Sequence, residues 1–113
     1  MNQVFTIPEF DKSLKRLSRK FPSLKVEYSE FIEKTVEDDV QGISLGNGFY
    51  KARISVQSKG KGKSGGLRII SYKEVIYKLH KSEIILVAIY DKSELSTIDR
   101  KYLEQLVNKY KTS

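Results

Sequence analysis

Seven basic residues are concentrated in the middle of this 113-residue chain, where no acidic residue accompanies them. No Asp or Glu lies between Val40 and Lys73, whereas the basic residues of that stretch are Lys51, Arg53, Lys59, Lys61, Lys63, Arg68 and Lys73. The other 14 basic residues equal the 14 acidic residues in number, so this stretch carries the whole formal net charge of +7. Such a local excess predicts an anion-binding site, for which nucleic acid is the simplest partner.

Two of these cations, Lys51 and Arg53, lie in a segment that alternates as a β-strand does. Its apolar residues share one face and its polar residues the other: Tyr50, Ala52, Ile54 and Val56 against Lys51, Arg53, Ser55 and Gln57. Residues 67–72 predict a paired antiparallel strand, on which Arg68 has the parity to point outward. Three cations on one concave sheet face would attract a phosphate group. The alternative is an ordinary polar sheet face with a solvated hairpin loop.

A loop rich in glycine and lysine, residues 58–66, joins these two predicted strands. Gly62-Lys63-Ser64 imitates the end of a phosphate-binding P-loop, but the glycine required five positions earlier is replaced by Gln57. The P-loop also requires a following helix, and a strand is predicted there. The pattern therefore argues against nucleotide hydrolysis. It favours Lys59, Lys61 and Lys63 as contacts to a nucleic-acid backbone.

The remaining elements that position these cations predict a single α+β domain over residues 1–113. A strand over 3–6 precedes a helix ending at about Lys20, and Thr6 and Glu9 have the spacing of a capping box. A second helix begins near Leu24. The basic outer face of the first helix and the glutamates of the second indicate an αα-hairpin with complementary charged flanks. The alternative, which suits most of these charges better, is two separately solvated helix faces.

The C-terminal half completes the predicted order β-α-α-β-β-β-α. Residues 84–90 are apolar on both faces, as in a central strand, and a helix is predicted from about residue 98 to Tyr110. These patterns predict a helical hairpin and a C-terminal helix packed on an antiparallel sheet.

Composition excludes several functional classes. The chain has no cysteine and a single histidine, His80, which argues against disulfides, a thiolate metal site or a histidine-rich metal centre. It has no apolar run long enough to span a membrane, and its N-terminus lacks the layout of a signal peptide. We therefore expect a cytoplasmic domain that does not associate with membranes.

Four segments carry a resemblance to a known family: Tyr50-Lys-Ala-Arg-Ile-Ser, Ser58-Lys-Gly-Lys-Gly-Lys-Ser-Gly-Gly, Leu67-Arg-Ile-Ile-Ser-Tyr72 and Ile89-Tyr-Asp-Lys-Ser-Glu94. Together they resemble the RelE/ParE superfamily of toxins from type II toxin–antitoxin systems, most closely its HigB-like and RelE-like members. The resemblance implies a RelE-like fold and a ribosome-dependent mRNA endonuclease, or mRNA interferase. It also implies a cognate antitoxin, often a helix-turn-helix DNA-binding protein, and no metal or cofactor.

The resemblance also implies roles for individual residues. Lys51, Arg53 and Arg68 match the basic catalytic positions, and Lys92 matches the basic residue after the last strand. Cleavage by the RNA 2′-hydroxyl needs a proton acceptor, a proton donor and cations around the phosphate. A lysine crowded by other cations can act as the acceptor, so Lys51 and Lys92 are candidates. Arginine stays protonated, so Arg53 and Arg68 are better suited to stabilise charge.

Several alternatives stay open at this point. Tyr102 can stack on a base or pack in the core, and the sequence does not say which group is base and which is acid. A ParE-like toxin that binds gyrase without nuclease activity and a non-catalytic basic RNA-binding module are the two competing functions.

Overall fold

The structure is a computed structural model that describes residues 2–59 and 66–111. Three α-helices and a five-stranded sheet make up this part of the chain. They are β1 (Asn2–Thr6), α1 (Pro8–Lys20), α2 (Leu24–Glu37), β2 (Ile43–Gly46), β3 (Phe49–Ile54), β4 (Leu67–Ile76), β5 (Lys81–Asp91) and α3 (Arg100–Lys111). The α+β class is confirmed. Of the helices described, none is long and apolar enough to cross a membrane.

The sheet is mixed, with the strand order β1-β5-β4-β3-β2. Strands β2 to β5 pair antiparallel in sequence, but β1 pairs parallel with β5. The prediction of an antiparallel sheet is therefore wrong at this edge. The error follows from missing β2. Each helix or strand runs in the direction opposite to the one before it. With β2 counted, the number of reversals from β1 to β5 is even, so these two strands run in the same direction.

A recognisable signal marks the missed strand. Asn47 and Gly48 both have positive φ, 53° and 87°, and they form the two-residue turn between β2 and β3. An Asn-Gly pair between short strands is the strongest local signal for a tight hairpin, because that turn needs two residues with positive φ. The chain therefore contained the information that places β2.

The core lies between the helices and the sheet. Phe10 and Leu17 of α1 are fully buried, as the helical spacing predicts, and Leu24 and Phe31 of α2 join them. The predicted capping box is wrong, since Ile7 is the N-cap of α1 and makes no side-chain cap hydrogen bond. Pro8 lies at the first helical position, where its missing N–H costs nothing.

The helices cover both faces of the sheet. Tyr72 and Lys73 are consecutive residues of β4 and so point to opposite faces. Lys111 of α3 contacts the Tyr72 hydroxyl, whereas Asp39, just after α2, forms an ion pair with Lys73 at 2.7 Å. Helices α2 and α3 therefore lie on opposite faces.

Candidate functional site

The β3–β4 register brings together the cations that the sequence singled out. Arg53 of β3 lies directly opposite Arg68 of β4, and Lys51 lies two residues before Arg53, opposite Ile70. Directly opposed residues project from the same face of a sheet, as do residues two apart on one strand. Lys51, Arg53 and Arg68 therefore share one face, as predicted.

Their accessibility differs, and this corrects the prediction for Arg68. Arg53 is exposed and Lys51 is half-buried, but Arg68 is only 2% exposed. The expectation of an outward, solvent-accessible Arg68 assumed that this face of β4 was open. Tyr90, which lies opposite Arg68 on β5 and is also buried, shows that the face is covered there.

Arg68 is directed towards the end of the 58–66 segment and towards Tyr90. One guanidinium nitrogen, Nη1, lies 3.4 Å from the carbonyl oxygen of Leu67 and 3.5 Å from that of Gly66. Burial raises the pKa of Tyr90, and the positive charge of Arg68 opposes that rise. The positive charge of Arg68 therefore lies among buried groups, whereas Arg53 is exposed to solvent.

A cleft of about 600 Å³ adjoins Lys51 and Arg53, and we call it the strand cleft. Its lining residues are Glu27, Glu30, Phe31, Lys34, Gln41, Gly42, Ile43, Lys51, Ala52, Arg53, Ile54 and Ser55. It forms because β2 pairs with β3 only as far as Lys51, so the edge of β3 from Ala52 to Ile54 has no β2 partner. The strand cleft therefore combines an open strand edge with side chains of α2.

Gly42 makes this opening possible. Its φ is +99°, and a Cβ atom there would overlap the carbonyl oxygen of Lys51. Only glycine tolerates both the conformation and the close approach. The chain can therefore leave the edge of the sheet at Gly42, which ends the β2 pairing and leaves the next part of β3 uncovered.

Helix α2 places carboxylates in the strand cleft, which the acid-free stretch did not predict. Glu27 is already engaged, since it accepts hydrogen bonds from the Ser23 hydroxyl at 3.0 Å and from the Gln57 backbone N–H at 2.7 Å. Glu30 is exposed and has no hydrogen bond or ion pair with the described residues. Sequence reasoning missed Glu30 because only the packing of α2 beside β3 brings it there.

Lys59 lies in a different environment from the one predicted for a loop lysine. Its ammonium contacts Asp91 Oδ1 at 2.6 Å and Ser93 Oγ at 3.2 Å, and the side chains of Lys59 and Asp91 are 10% and 1% exposed. It also lies 5.3 Å from the ring centroid of Phe21. Lys59 is therefore a buried, neutralised cation, because Asp91 at the end of β5 compensates it.

The Asp91 carboxylate is held by several donors. Burial by itself raises the pKa of Asp91, but hydrogen bonds from Lys59 and from the backbone and hydroxyl of Ser93 outweigh it and leave the pKa below its ordinary value. The second oxygen, Oδ2, is buried without a hydrogen-bond partner. Lys59 is therefore the cation that compensates the buried negative charge of Asp91.

The remaining predicted residues lie apart from the strand cleft or outside the described structure. Lys92 is exposed, immediately after β5. Tyr102 of α3 is 46% exposed and lines a separate cavity of about 270 Å³ beside Tyr90 and Leu106. Lys61 and Lys63 lie outside the described residues. Lys51, Arg53 and Glu30 therefore line the same cleft at the open edge of β3, which the cations reach from one face of the sheet and Glu30 from the other. Tyr102 lines a different cavity.

The arrangement has the components of acid–base chemistry on a bound anion. Arg53 can hold a phosphate group, and Glu30 or Lys51 can exchange a proton. Within residues 2–59 and 66–111, no three His, Cys, Asp or Glu side chains are grouped so that they could hold a metal ion.

Comparison with known proteins gives no further assignment. No family model matches the chain, and no curated protein matches it.

Proposed function

We propose that this protein is the toxin of a type II toxin–antitoxin module, with a RelE-like fold, and that it cleaves mRNA on the ribosome. The observation that supports the proposal most directly is the placement of Lys51, Arg53 and Arg68 on one sheet face, next to the strand cleft. Neither Lys51 nor Arg53 has an acidic partner among the described residues. An unneutralised pair of cations on a rigid strand suits a phosphodiester substrate.

The proposed reaction uses the 2′-hydroxyl of the RNA as the nucleophile. Its oxygen attacks the adjacent phosphorus while a basic group accepts its proton, and the bond from phosphorus to the 5′-oxygen breaks as that oxygen receives a proton. The products are a 2′,3′-cyclic phosphate and a 5′-hydroxyl. Arg53 stabilises the extra negative charge on the phosphate in the transition state.

Three residues are candidates for the proton transfers. Lys51 adjoins Arg53 on β3, Lys92 follows β5, and Glu30 faces the same cleft as Lys51. A carboxylate is ordinarily ionised at neutral pH and can accept a proton, whereas a lysine must first be neutral. Glu30 therefore adds a base candidate that has no counterpart among the residues chosen from sequence.

The proposal carries further expectations about cellular context. A toxin of this kind acts in the cytoplasm, where ribosomes and mRNA are found, and it is made together with an antitoxin that neutralises it. A neighbouring gene for a small helix-turn-helix protein would fit the proposal. The chemistry described above requires no metal or cofactor, because the reacting groups are the RNA hydroxyl and protein side chains.

Induction of the protein in growing bacteria tests the proposal. We expect growth arrest with cleavage of translated mRNA, and no cleavage of the same RNA when its translation is blocked. DNA damage with intact mRNA would favour a gyrase-directed toxin instead. Ribosome binding with intact mRNA would favour the non-catalytic RNA-binding module.

A further inference from the structure

The helical hairpin carries a second group of cations that the fold leaves uncompensated. The sequence left two interpretations of the charged flanks of α1 and α2 open, mutual compensation and separate solvation. Within the described residues no salt bridge joins the two helices, and the cations of α1 that do form ion pairs, Arg16 and Lys20, both contact Glu94. Lys12, Lys15, Arg19 and Lys25 are exposed and have no ion-pair partner there.

Three of these cations surround a groove of about 570 Å³ between α1 and α2, which we call the helical groove. Lys15 and Arg19 come from α1 and Lys25 from α2, with Asp11 as the acidic lining residue. Lys15 and Arg19 are four residues apart, so they are neighbours on the helix surface and repel each other. A bound polyanion would remove this repulsion.

The other lining residues provide hydrogen-bond donors. Ser18 and Tyr28 both line the helical groove. The Tyr28 hydroxyl is a donor at physiological pH, and burial, with a smaller contribution from Asp11, raises its pKa further, to about 12. Hydroxyl donors beside lysine and arginine are the combination that proteins use to contact phosphate oxygens.

The composition of the helical groove distinguishes a nucleic acid from an acidic protein. Protein interfaces usually have an apolar centre depleted of charge, but the aliphatic lining of this groove is a half-buried leucine, Leu14. Interfaces with nucleic acids are more polar and much more positively charged. The lining therefore favours a phosphate backbone.

We propose that the helical groove is an RNA-backbone binding surface, separate from the strand cleft. Phe49 lies opposite Tyr72, so Lys51 and Arg53, two and four residues further along β3, project from the face that α3 covers. The helical groove lies in the layer of α1 and α2 on the other face. Cations on two sides suit a protein inserted between two segments of RNA, as at a ribosomal site. The ribosomal identity of the RNA rests on the function proposed above, but the RNA affinity of the groove does not.

Fluorescence anisotropy with a labelled 20-base-pair RNA duplex, over a range of salt concentrations, tests the proposal. Lys15→Gln with Lys25→Gln removes two charges from the helical groove. Lys78→Gln with Lys101→Gln is the matched control, because both of these lysines are exposed and lie outside the groove and the strand cleft. Each lost phosphate contact reduces the slope of log affinity against log salt by about 1. We expect the magnitude of this slope to fall by about 2 in the groove variant and to stay unchanged in the control variant.

Equal salt slopes in the two double variants would overturn the proposal. So would a groove variant that keeps its RNA affinity but loses binding to a poly-glutamate peptide, which would assign the groove to an acidic protein. Failure of the function proposed above has a different signature. In that case mRNA stays intact on ribosomes, whatever the slope measured with the free duplex.

Discussion

The described cations of the central basic stretch lie in two different environments in the folded protein. Lys51 and Arg53 lie on β3 beside the strand cleft and have no ion-pair partner among the described residues. Lys59 is buried in an ion pair with Asp91, and Lys73 is paired with Asp39. All four belong to a stretch without acidic residues, and yet two are neutralised by carboxylates from elsewhere in the chain.

The comparison shows that an excess of basic residues in one stretch of the sequence does not give the net charge around those residues in the folded protein. Asp91 and Asp39 lie outside the basic stretch, and the fold brings them to Lys59 and Lys73. Among the described cations of this stretch, Lys51 and Arg53 are the ones that line the strand cleft without an acidic partner. We therefore expect substitutions at Lys59 or Asp91 to change stability, and substitutions at Lys51 or Arg53 to change activity.

The largest effect is expected for Asp91→Ala. This substitution leaves the buried Lys59 ammonium without its carboxylate, and removal of one partner of a buried ion pair costs about 3–5 kcal/mol. Urea denaturation should show this loss in the free energy of unfolding. The double variant Lys59→Met with Asp91→Leu should recover most of it, because both buried charges are then absent. A single variant as stable as the wild type would show that the ion pair does not hold the fold together.

Arg53→Ala should have the opposite signature. Arg53 is exposed, so we expect the free energy of unfolding to change by about 0.5 kcal/mol or less. Loss of a group that stabilises transition-state charge should reduce mRNA cleavage by about 10²–10³-fold. Cleavage by programmed ribosomes measures the effect, with Lys78→Ala as a control of equal charge. A stable Arg53→Ala protein with full cleavage would remove Arg53 from the proposed site.

Glu30→Gln should distinguish Glu30 from the two lysines as the general base, and its effect on cleavage should be smaller than that of Arg53→Ala. If Glu30 accepts the proton of the 2′-hydroxyl, the amide should lower the cleavage rate by about 10²-fold. Lys51→Gln is the comparison, because it removes the lysine candidate while Glu30 remains. An unchanged rate in Glu30→Gln would return the assignment to Lys51 or Lys92.

The smallest effect is expected in the pH dependence of stability. The folded pKa of Asp91 lies below the ordinary value of 3.8, so the carboxylate stabilises the fold above that value. This contribution should decrease as the pH falls through the folded pKa. Thermal unfolding between pH 6 and pH 2 should show a steeper acid loss for the wild type than for the double variant Lys59→Met with Asp91→Leu. Parallel curves of melting temperature against pH for the two proteins would contradict a lowered pKa of Asp91 in the folded state.

Much of the fold could be predicted from the periodicity of single segments. The spacing of Phe10, Leu17 and Phe21 indicated α1, and the alternation from Tyr50 indicated β3, because each pattern depends only on neighbours in sequence. The strand β2 was missed because it has only four residues, most of them exposed, and an alternation this short is a weak signal. The parallel pairing of β1 was missed with it.

The site could be predicted only in part, for a related reason. The parity of Lys51, Arg53 and Arg68 follows from strand geometry, and the register confirms their common face. The burial of Arg68 depends on what covers β4, and the neutralisation of Lys59 depends on Asp91, 32 residues away. Glu30 enters the strand cleft through helix packing. Such long-range contacts leave no periodic signal in the sequence.

One measurement tests the central claim most directly: cleavage of a defined mRNA on purified ribosomes, with the chemistry of the product ends identified. The wild type should cut the mRNA only when ribosomes are present, leaving a 2′,3′-cyclic phosphate and a 5′-hydroxyl. A single 2′-deoxy substitution at the cut nucleotide should block the reaction, and Arg53→Ala should nearly abolish it. Intact mRNA, or equal cleavage of the 2′-deoxy substrate at the same position, would contradict the account.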